Sequence, residues 1–313
     1  AIHLIDAIVL AKAYVTAGIS KGSQLGKGPG PVVHTTFPSS HSHFPSIVTD
    51  PKNLPHPTTS IHFRPMRRAS SPSSSSSTSS YHDNDIPQLG KILPIVNTSE
   101  WVESLCKLPH ITDIQLRIKD ETITNDPNKV QDMIQKAQAY CEASNVRLWI
   151  NDYWEEAIRA NCFGVHLGQE DLCRCARDGG LEQLRKHNLA LGISTHSYGE
   201  LAAALGIHPS YISLGPIFGT KSKDVAFDPQ GLDTLRQWRK LVGSYNGRHD
   251  NDNDIEDDKE DTRMPLVAIG GINDSIIARE VRDAGADCIA VIGAVTKVED
   301  VENAVNQLMK AMS

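Results

Sequence analysis

Gln115, Arg117 and Lys119 alternate along one strand-like run, DIQLRI, and continue just past it. Period-two alternation sends all three to the same side of a strand. Burying two cations together is costly without an anion. An arginine fork beside a lysine point charge suits phosphate oxygens. An internal ion pair with a barrel carboxylate is the alternative. Asp152 follows RLWI, and Asp171 follows GVHLG. Carboxylates at neighbouring strand ends can share one cation, and magnesium suits one or two carboxylates completed by water and phosphate oxygens. Taken singly, each Asp also reads as a helix N-cap. Together, opposite Arg117 and Lys119, they make half of a pyrophosphate–magnesium site, with Asn151 beside them to donate a hydrogen bond to substrate.

A second group of polar residues lies further along. GTKSKD, from Gly219 to Asp224, offers the hydroxyls of Thr220 and Ser222, open backbone amides and the charge of Lys223. Short polar loops of this kind bind phosphate. Gly270 and Gly271 close LVAIGG, and Gly293 follows CIAVI. Glycines there let backbone amides approach a second phosphate, although a GG pair is often only a turn. His166, inside GVHLG, reads as a packed histidine with a satisfied ring. Neither it nor His196 is assigned a proton-transfer role.

These residues share one kind of place: the carboxyl end of an apolar run. The runs are ILPIV, DIQLRI, RLWI, GVHL, ALGIS, YISLG, LVAIG and CIAVIG, each followed by a helical pattern such as 129–143 or 275–284. Several are apolar throughout, as strands buried on both faces are. Strict alternation of strand and helix implies parallel strands. Eight such units between Gly90 and Ser313 predict an α/β fold, a closed (β/α)8 TIM barrel whose site lies at the strand carboxyl ends.

The rest of the chain divides by composition. Over 1–38, Leu4, Ile8, Ala11 and Val15 recur at helical spacing and a glycine-rich turn follows. A lone helix cannot bury its own apolar face, so this piece reads as part of something larger. Residues 39–89 are rich in Ser, Pro and His around SSPSSSSSTSS, and predict a disordered linker. Residues 246–261, NGRHDNDNDIEDDKED, predict a disordered acidic insertion away from the chemistry. The net charge of -7 argues against non-specific binding to nucleic acid. No apolar run is long enough to span a bilayer. Cysteines without CxxC or zinc-site spacing point to a soluble protein of a reducing compartment. The start at Ala1 on a helical pattern reads as a piece of a longer chain.

The motifs QLRIK, IND, HLGQEDL, GISTHS, LGPIFGTKSK, VAIGGI and GADCIAVIGAV, in this order over Ile92 to Met312, resemble thiamine phosphate synthase. The resemblance implies a TIM barrel that joins hydroxymethylpyrimidine diphosphate to a thiazole phosphate, releasing pyrophosphate. It implies that Gln115, Arg117, Lys119, Asn151, Ser194 and Lys223 hold the pyrimidine diphosphate. Asp152 and Asp171 would hold Mg2+. Thr220, Lys221, Ser222, Gly271, Ile292 and Gly293 would hold the thiazole phosphate. Arg117, Lys119 and Lys223 would act in catalysis. Gly293 stands where the family usually has Ser, Ser222 where it usually has Thr, and Tyr153 where Arg usually follows IND. AKAYVTAGISKGSQLGKGPGPVVH resembles the C-terminus of hydroxymethylpyrimidine phosphate kinase, so 1–38 reads as a kinase remnant without that enzyme's catalytic loop. The plant-like order of kinase before synthase points to a plastid, or otherwise to the cytoplasm. The expected partners are the two small-molecule substrates; the sequence carries no signal for oligomeric state. Two rival readings are a thiazole tautomerase on the same barrel and a catalytically silent phosphate-ligand binding protein.

Overall fold

The computed structural model describes residues 3–24, 26–28, 30–38, 40–45, 47, 63–68, 86–219, 228–243 and 264–313. The expectations for Thr220, Lys221, Ser222 and Lys223, for the 246–261 insertion and for most of 39–89 lie outside these residues.

Eight parallel strands close into a barrel in chain order. They are β1 (Ile92–Val96), β2 (Asp113–Leu116), β3 (Arg147–Asn151), β4 (Gly164–Leu167), β5 (Ala190–Thr195), β6 (Tyr211–Leu214), β7 (Leu266–Ile269) and β8 (Cys288–Val291). A first helix, α1 (Leu4–Ser20), precedes the barrel. Around the barrel run α2 (Ser99–Cys106), α3 (Glu121–Thr124), α4 (Pro127–Ala143), α5 (Trp154–Arg159), α6 (Gln169–Arg177) and α7 (Gly180–Lys186). The circuit ends with α8 (Tyr198–Ile207), α9 (Gly231–Gly243), α10 (Ser275–Asp283), α11 (Gly293–Thr296) and α12 (Val301–Met312). The expected TIM barrel is therefore the observed fold. Side-chain caps from Thr98, Asp126, Ser197, Asp274 and Asp300 start α2, α4, α8, α10 and α12, satisfying amides that a helix cannot pair internally.

Strand alternation divides the core in two. Ile114, Leu116, Leu148, Ile150, Val165, Leu191, Ile193 and Ile212 join the helix-side cluster. Leu93, Ile95, Trp149, Ala190, Tyr211, Val267, Cys288 and Ala290 form a second cluster inside the barrel. Gly164 and Gly192 make room there. A Cβ at Gly164 would meet the Trp149 ring at 2.7 Å, and one at Gly192 would collide with the Tyr211 ring. The two rings meet edge to face with centroids 5.0 Å apart, a favoured aromatic geometry.

At the amino ends of the strands the lumen is closed by residues of the stretch expected to be a linker. Met66 and Leu89 are buried in the inner cluster. The Arg64 N–H donates to Leu189 O at 3.3 Å, and the Ser210 hydroxyl donates to Arg64 O at 2.6 Å. Arg68 pairs with Asp287, which also takes Arg239 at 2.6 Å and the Leu266 N–H at 2.8 Å. Arg147 forks onto Asp113, whose carboxylate also accepts from Trp149 Nε1 and the Gly90 N–H. Thus 63–68 and 86–89 are built into the barrel, which corrects the expectation of a linker for these residues. Two apolar anchors, Phe63 and Met66, with arginines between and after them, suffice to seat the segment.

α1 lies along α8. Val9, Ala13 and Ala17 are buried, and Asp6 accepts the Gly199 N–H at 2.8 Å. Leu4, Ile5, Ile8 and Ile19 stay exposed, so the barrel covers one side of this helix only. Among the described residues no helix is long and apolar enough to cross a membrane.

Candidate active site

A cleft of about 220 Å3 opens at the carboxyl ends of the strands. Gln115, Arg117, Lys119, Asn151, Asp152, Asp171, Ser194, Gly271, Ile292 and Gly293 all line it. The described residues among those picked out one motif at a time therefore converge on one place.

β2 and β3 set the polar wall. Gln115 is buried and donates through Nε2 to Asn151 Oδ1 at 2.8 Å. Arg117 is fixed to the strand end by its N–H to Val96 O at 2.7 Å, which presents its guanidinium to the cleft. Lys119 Nζ lies 3.3 Å from Asp152 Oδ2. The ion-pair reading thus holds for Lys119 in the unliganded protein, whereas Arg117 makes no ion pair among the described residues.

The N-cap reading of the two aspartates fails. α5 is capped at Tyr153 and α6 at Gly168, neither with a side-chain hydrogen bond. Asp152 instead sits just before the cap with φ 71°, a left-handed conformation that Asp and Asn adopt more readily than other side chains. Its N–H donates to His166 O at 3.1 Å. Asp171, in the first turn of α6, pairs with the exposed Arg174. Burial and then the neighbouring Asp171 carboxylate push Asp152 above the usual carboxylate range, against the pull of Lys119. A buried carboxylate raised by a neighbouring carboxylate lacks a compensating positive charge. An oxygen donor pair of this kind fits magnesium, which needs no all-protein cage. Among the described residues no group of three or more His, Cys, Asp or Glu could hold a metal.

His166 is a satisfied histidine, as expected. Nδ1 meets the Tyr211 hydroxyl at 2.7 Å and Nε2 meets Ser194 Oγ at 2.8 Å. Burial raises the Tyr211 hydroxyl well above its usual range, so the phenol stays protonated. Gln169 Nε2 donates to Ser194 O at 2.6 Å. Ser194 is therefore held at its backbone and its hydroxyl together.

Gly270 and Gly271 have φ of 97° and 71°, and a Cβ at either would strike Pro216 or Phe218 at 2.6 Å. The GG turn is thus a required close approach. Gly293 differs: a Cβ there would meet Lys297 Cδ at 3.5 Å, an ordinary contact. Tyr153 does not line the cleft and packs against the helix-side core, with Asp152 and Asp171 near enough to act on its hydroxyl.

On the opposite wall the sequence singles out Gly271, Ile292 and Gly293 but not the apolar strand residues below them. Ile95 of β1, Val267 and Ile269 of β7 and Ala290 of β8 line the cleft, with Pro216 and Tyr211 from β6 and its loop. Their period-two parity within each strand is the available signal. The cleft is consequently two-sided, charged along β2 to β5 and apolar along β7, β8 and β1.

A family model for thiamine monophosphate synthase matches residues 93–295. The thiamine-phosphate synthase of Citrobacter koseri is 37% identical over 218 residues, covering 70% of this chain and 90% of the relative. That of Neisseria meningitidis is 39% identical over 212 residues, covering 68% and 89%. Among solved structures, a thiamine phosphate pyrophosphorylase from Pyrococcus furiosus superposes with a TM-score of 0.53 at 28% identity, covering 71% of this chain and 95% of that one.

Proposed function

This chain belongs to the thiamine phosphate synthase family and is an enzyme of thiamine biosynthesis that forms thiamine phosphate, and we propose that it does so by magnesium-dependent joining of hydroxymethylpyrimidine diphosphate to hydroxyethylthiazole phosphate. The observation that carries this reading is the two-sided cleft. Arg117, Lys119 and the Asp152–Asp171 pair stand on one wall, and an apolar wall stands on the other.

Gln115 and Asn151, already bonded to each other, present their remaining donors and acceptors to the pyrimidine end. Arg117 forks onto the diphosphate, and Lys119 exchanges its contact with Asp152 for phosphate oxygens; Lys223 is assigned to the same anion. Ser194, oriented by His166 and Gln169, donates its hydroxyl to the same substrate. Asp152 and Asp171 would hold Mg2+, which would supply positive charge against the pyrophosphate as it leaves. The pyrimidine ring stabilises the methylene cation left behind, and the thiazole nitrogen attacks it. Gly271, Ile292 and Gly293, with Thr220, Lys221 and Ser222, hold the thiazole phosphate at β6, β7 and β8. No nucleophilic side chain is needed; positioning and electrostatic stabilisation carry the reaction.

The test mixes both substrates with magnesium and follows thiamine phosphate and pyrophosphate. Equal amounts of the two products, lost on chelation, are expected. Turnover unchanged in a chelator would refute the metal assignment. Absence of thiamine phosphate with this substrate pair would refute the substrate assignment and favour the thiazole tautomerase or phosphate-binding reading.

A further inference from the structure

We propose that Cys106 and Cys141 form a thiol–disulfide modification site, in which a hydroperoxide oxidises Cys106 and Cys141 then closes a disulfide with it. The two sulfurs lie 3.7 Å apart across the contact between α2 and α4. A disulfide needs about 2.05 Å between sulfurs, so the bond requires an approach on the order of 1.7 Å by side chains already in contact. Cys106 is the last residue of α2, a position at a helix end where a side chain can turn without dragging a full helix.

The two thiols are unequal. Cys106 is half-buried, whereas Cys141 is fully buried. The contact with Cys141, reinforced by the Ser144 hydroxyl, pulls the Cys106 thiol below its usual range. The same contact and burial push Cys141 up. Cys106, the more accessible of the two, therefore meets the peroxide first as the nucleophilic thiolate, and Cys141 resolves. Three of the remaining four cysteines do not compete on these terms. Cys162 and Cys175 are buried with thiols pushed up to about 12, and Cys288 is buried with its thiol raised. Cys173 is exposed.

Atoms and electrons balance in two steps. The Cys106 thiolate sulfur attacks the terminal peroxide oxygen; the O–O bond breaks and the leaving oxygen departs, protonated, as an alcohol or water. Cys106 is now a sulfenic acid. The Cys141 sulfur attacks the Cys106 sulfur, the S–O bond breaks, and water leaves with the thiol proton. Two thiols lose two electrons, and the peroxide gains them. In a reducing compartment such a bond is transient and reversible by dithiols.

The test treats the full chain with hydrogen peroxide, alkylates remaining thiols under denaturing conditions and maps the peptides. A linked peptide pair containing Cys106 and Cys141, cleaved by dithiothreitol, is expected. Cys141→Ser should stop at a Cys106 sulfenic acid that dimedone traps, and Cys106→Ser should leave Cys141 alkylatable. Recovery of both residues as thiols while Cys173 is oxidised would overturn the proposal. So would a disulfide that joins either one to a different cysteine. The wild-type map alone decides the matter if either variant fails to fold.

Discussion

Replacing Met66 with Ala tests whether residues 63–68 belong to the barrel or merely pass it. Met66 is 6% exposed and contributes to the inner cluster with Leu89, Leu93, Trp149, Ala190 and Tyr211. Truncating a buried Met to Ala costs about 2–5 kcal/mol, made of lost transfer energy and a residual cavity. The vacated space borders the amino-end surface, where neighbours can relax, so the lower half of that range, about 2–3 kcal/mol, applies. For a domain of this size each kcal/mol moves the midpoint by about 2–4 °C, giving a fall of about 4–12 °C. The measurement is thermal and urea unfolding of the full chain, with turnover assayed well below the midpoint. Michaelis constants should hold, because the cleft is at the other end of the lumen. A midpoint within about 1 °C of wild type, below the shift expected for even one kcal/mol, would show that the segment is not seated, and the linker reading would return for 63–68. A truncation that begins at Gly90 removes Met66, Leu89 and the Arg68–Asp287 pair together. It should be less stable than Met66→Ala, whereas the composition of 39–89 alone predicts no loss.

Asp152→Asn should cut turnover more than about 100-fold, since even outer-shell partners of a metal account for 10- to 100-fold. Asn keeps the left-handed backbone at φ 71°, so without metal the variant should be more stable than wild type, by about 0.5–2 kcal/mol. That advantage has a pH sign. Burial and Asp171 raise Asp152 in the folded state, so wild type carries the penalty only where Asp152 is ionised. The two proteins should converge as pH falls through the raised value and diverge above it; an advantage that grows on acidification would refute the assignment. Asp287→Ala should do the reverse, destabilising by about 3 kcal/mol because it strands two partly buried arginines, with turnover per folded molecule unchanged. Gly293→Ser has room for its Cβ and can add one hydrogen bond to phosphate, about 1.5–3 kcal/mol at best. The Michaelis constant for the thiazole phosphate should fall while that for the pyrimidine diphosphate stays put; equal changes in both would mean a general disturbance of the barrel mouth, and unchanged constants would place this loop off the phosphate.

How much could be read beforehand depended on the length scale of the signal. Every strand was legible, because apolar runs of four to six residues bounded by turns survive in the sequence as local patterns. Gln115, Arg117 and Lys119 were legible because polar and charged side chains at alternate positions of an apolar run fall on one strand face and must meet a partner there. The apolar wall was not, because Ile95, Val267 and Ala290 look the same as their helix-facing neighbours when both strand faces are buried. The seated segment failed for a different reason. FRPMRR has two apolar side chains besides its proline, inside a long Ser- and Pro-rich stretch, and composition averages over such a window what geometry resolves. The Asp113–Arg147 and Asp287–Arg239 pairs join residues far apart in sequence, and nothing local announces them. Cys106 and Cys141 meet only because α2 and α4 are neighbours.

The two ends of the lumen use the same chemical groups to opposite effect. At the amino ends, Asp113 and Asp287 are buried, and each meets arginine and backbone or indole donors that occupy its oxygens. Acceptors saturated in this way gain nothing from a ligand; their use is to lock strands and the 63–68 segment in place. At the carboxyl ends, burial and then the Asp171 carboxylate raise the proton affinity of Asp152, against a single lysine at 3.3 Å. The electrostatic deficit there is left for something outside the chain to fill. A fold that merely needed to be stable would pair Asp152 as it pairs Asp287. The difference between the two aspartates, visible in the unliganded protein, is the physical reason to place cation and diphosphate at one end of the barrel and not the other.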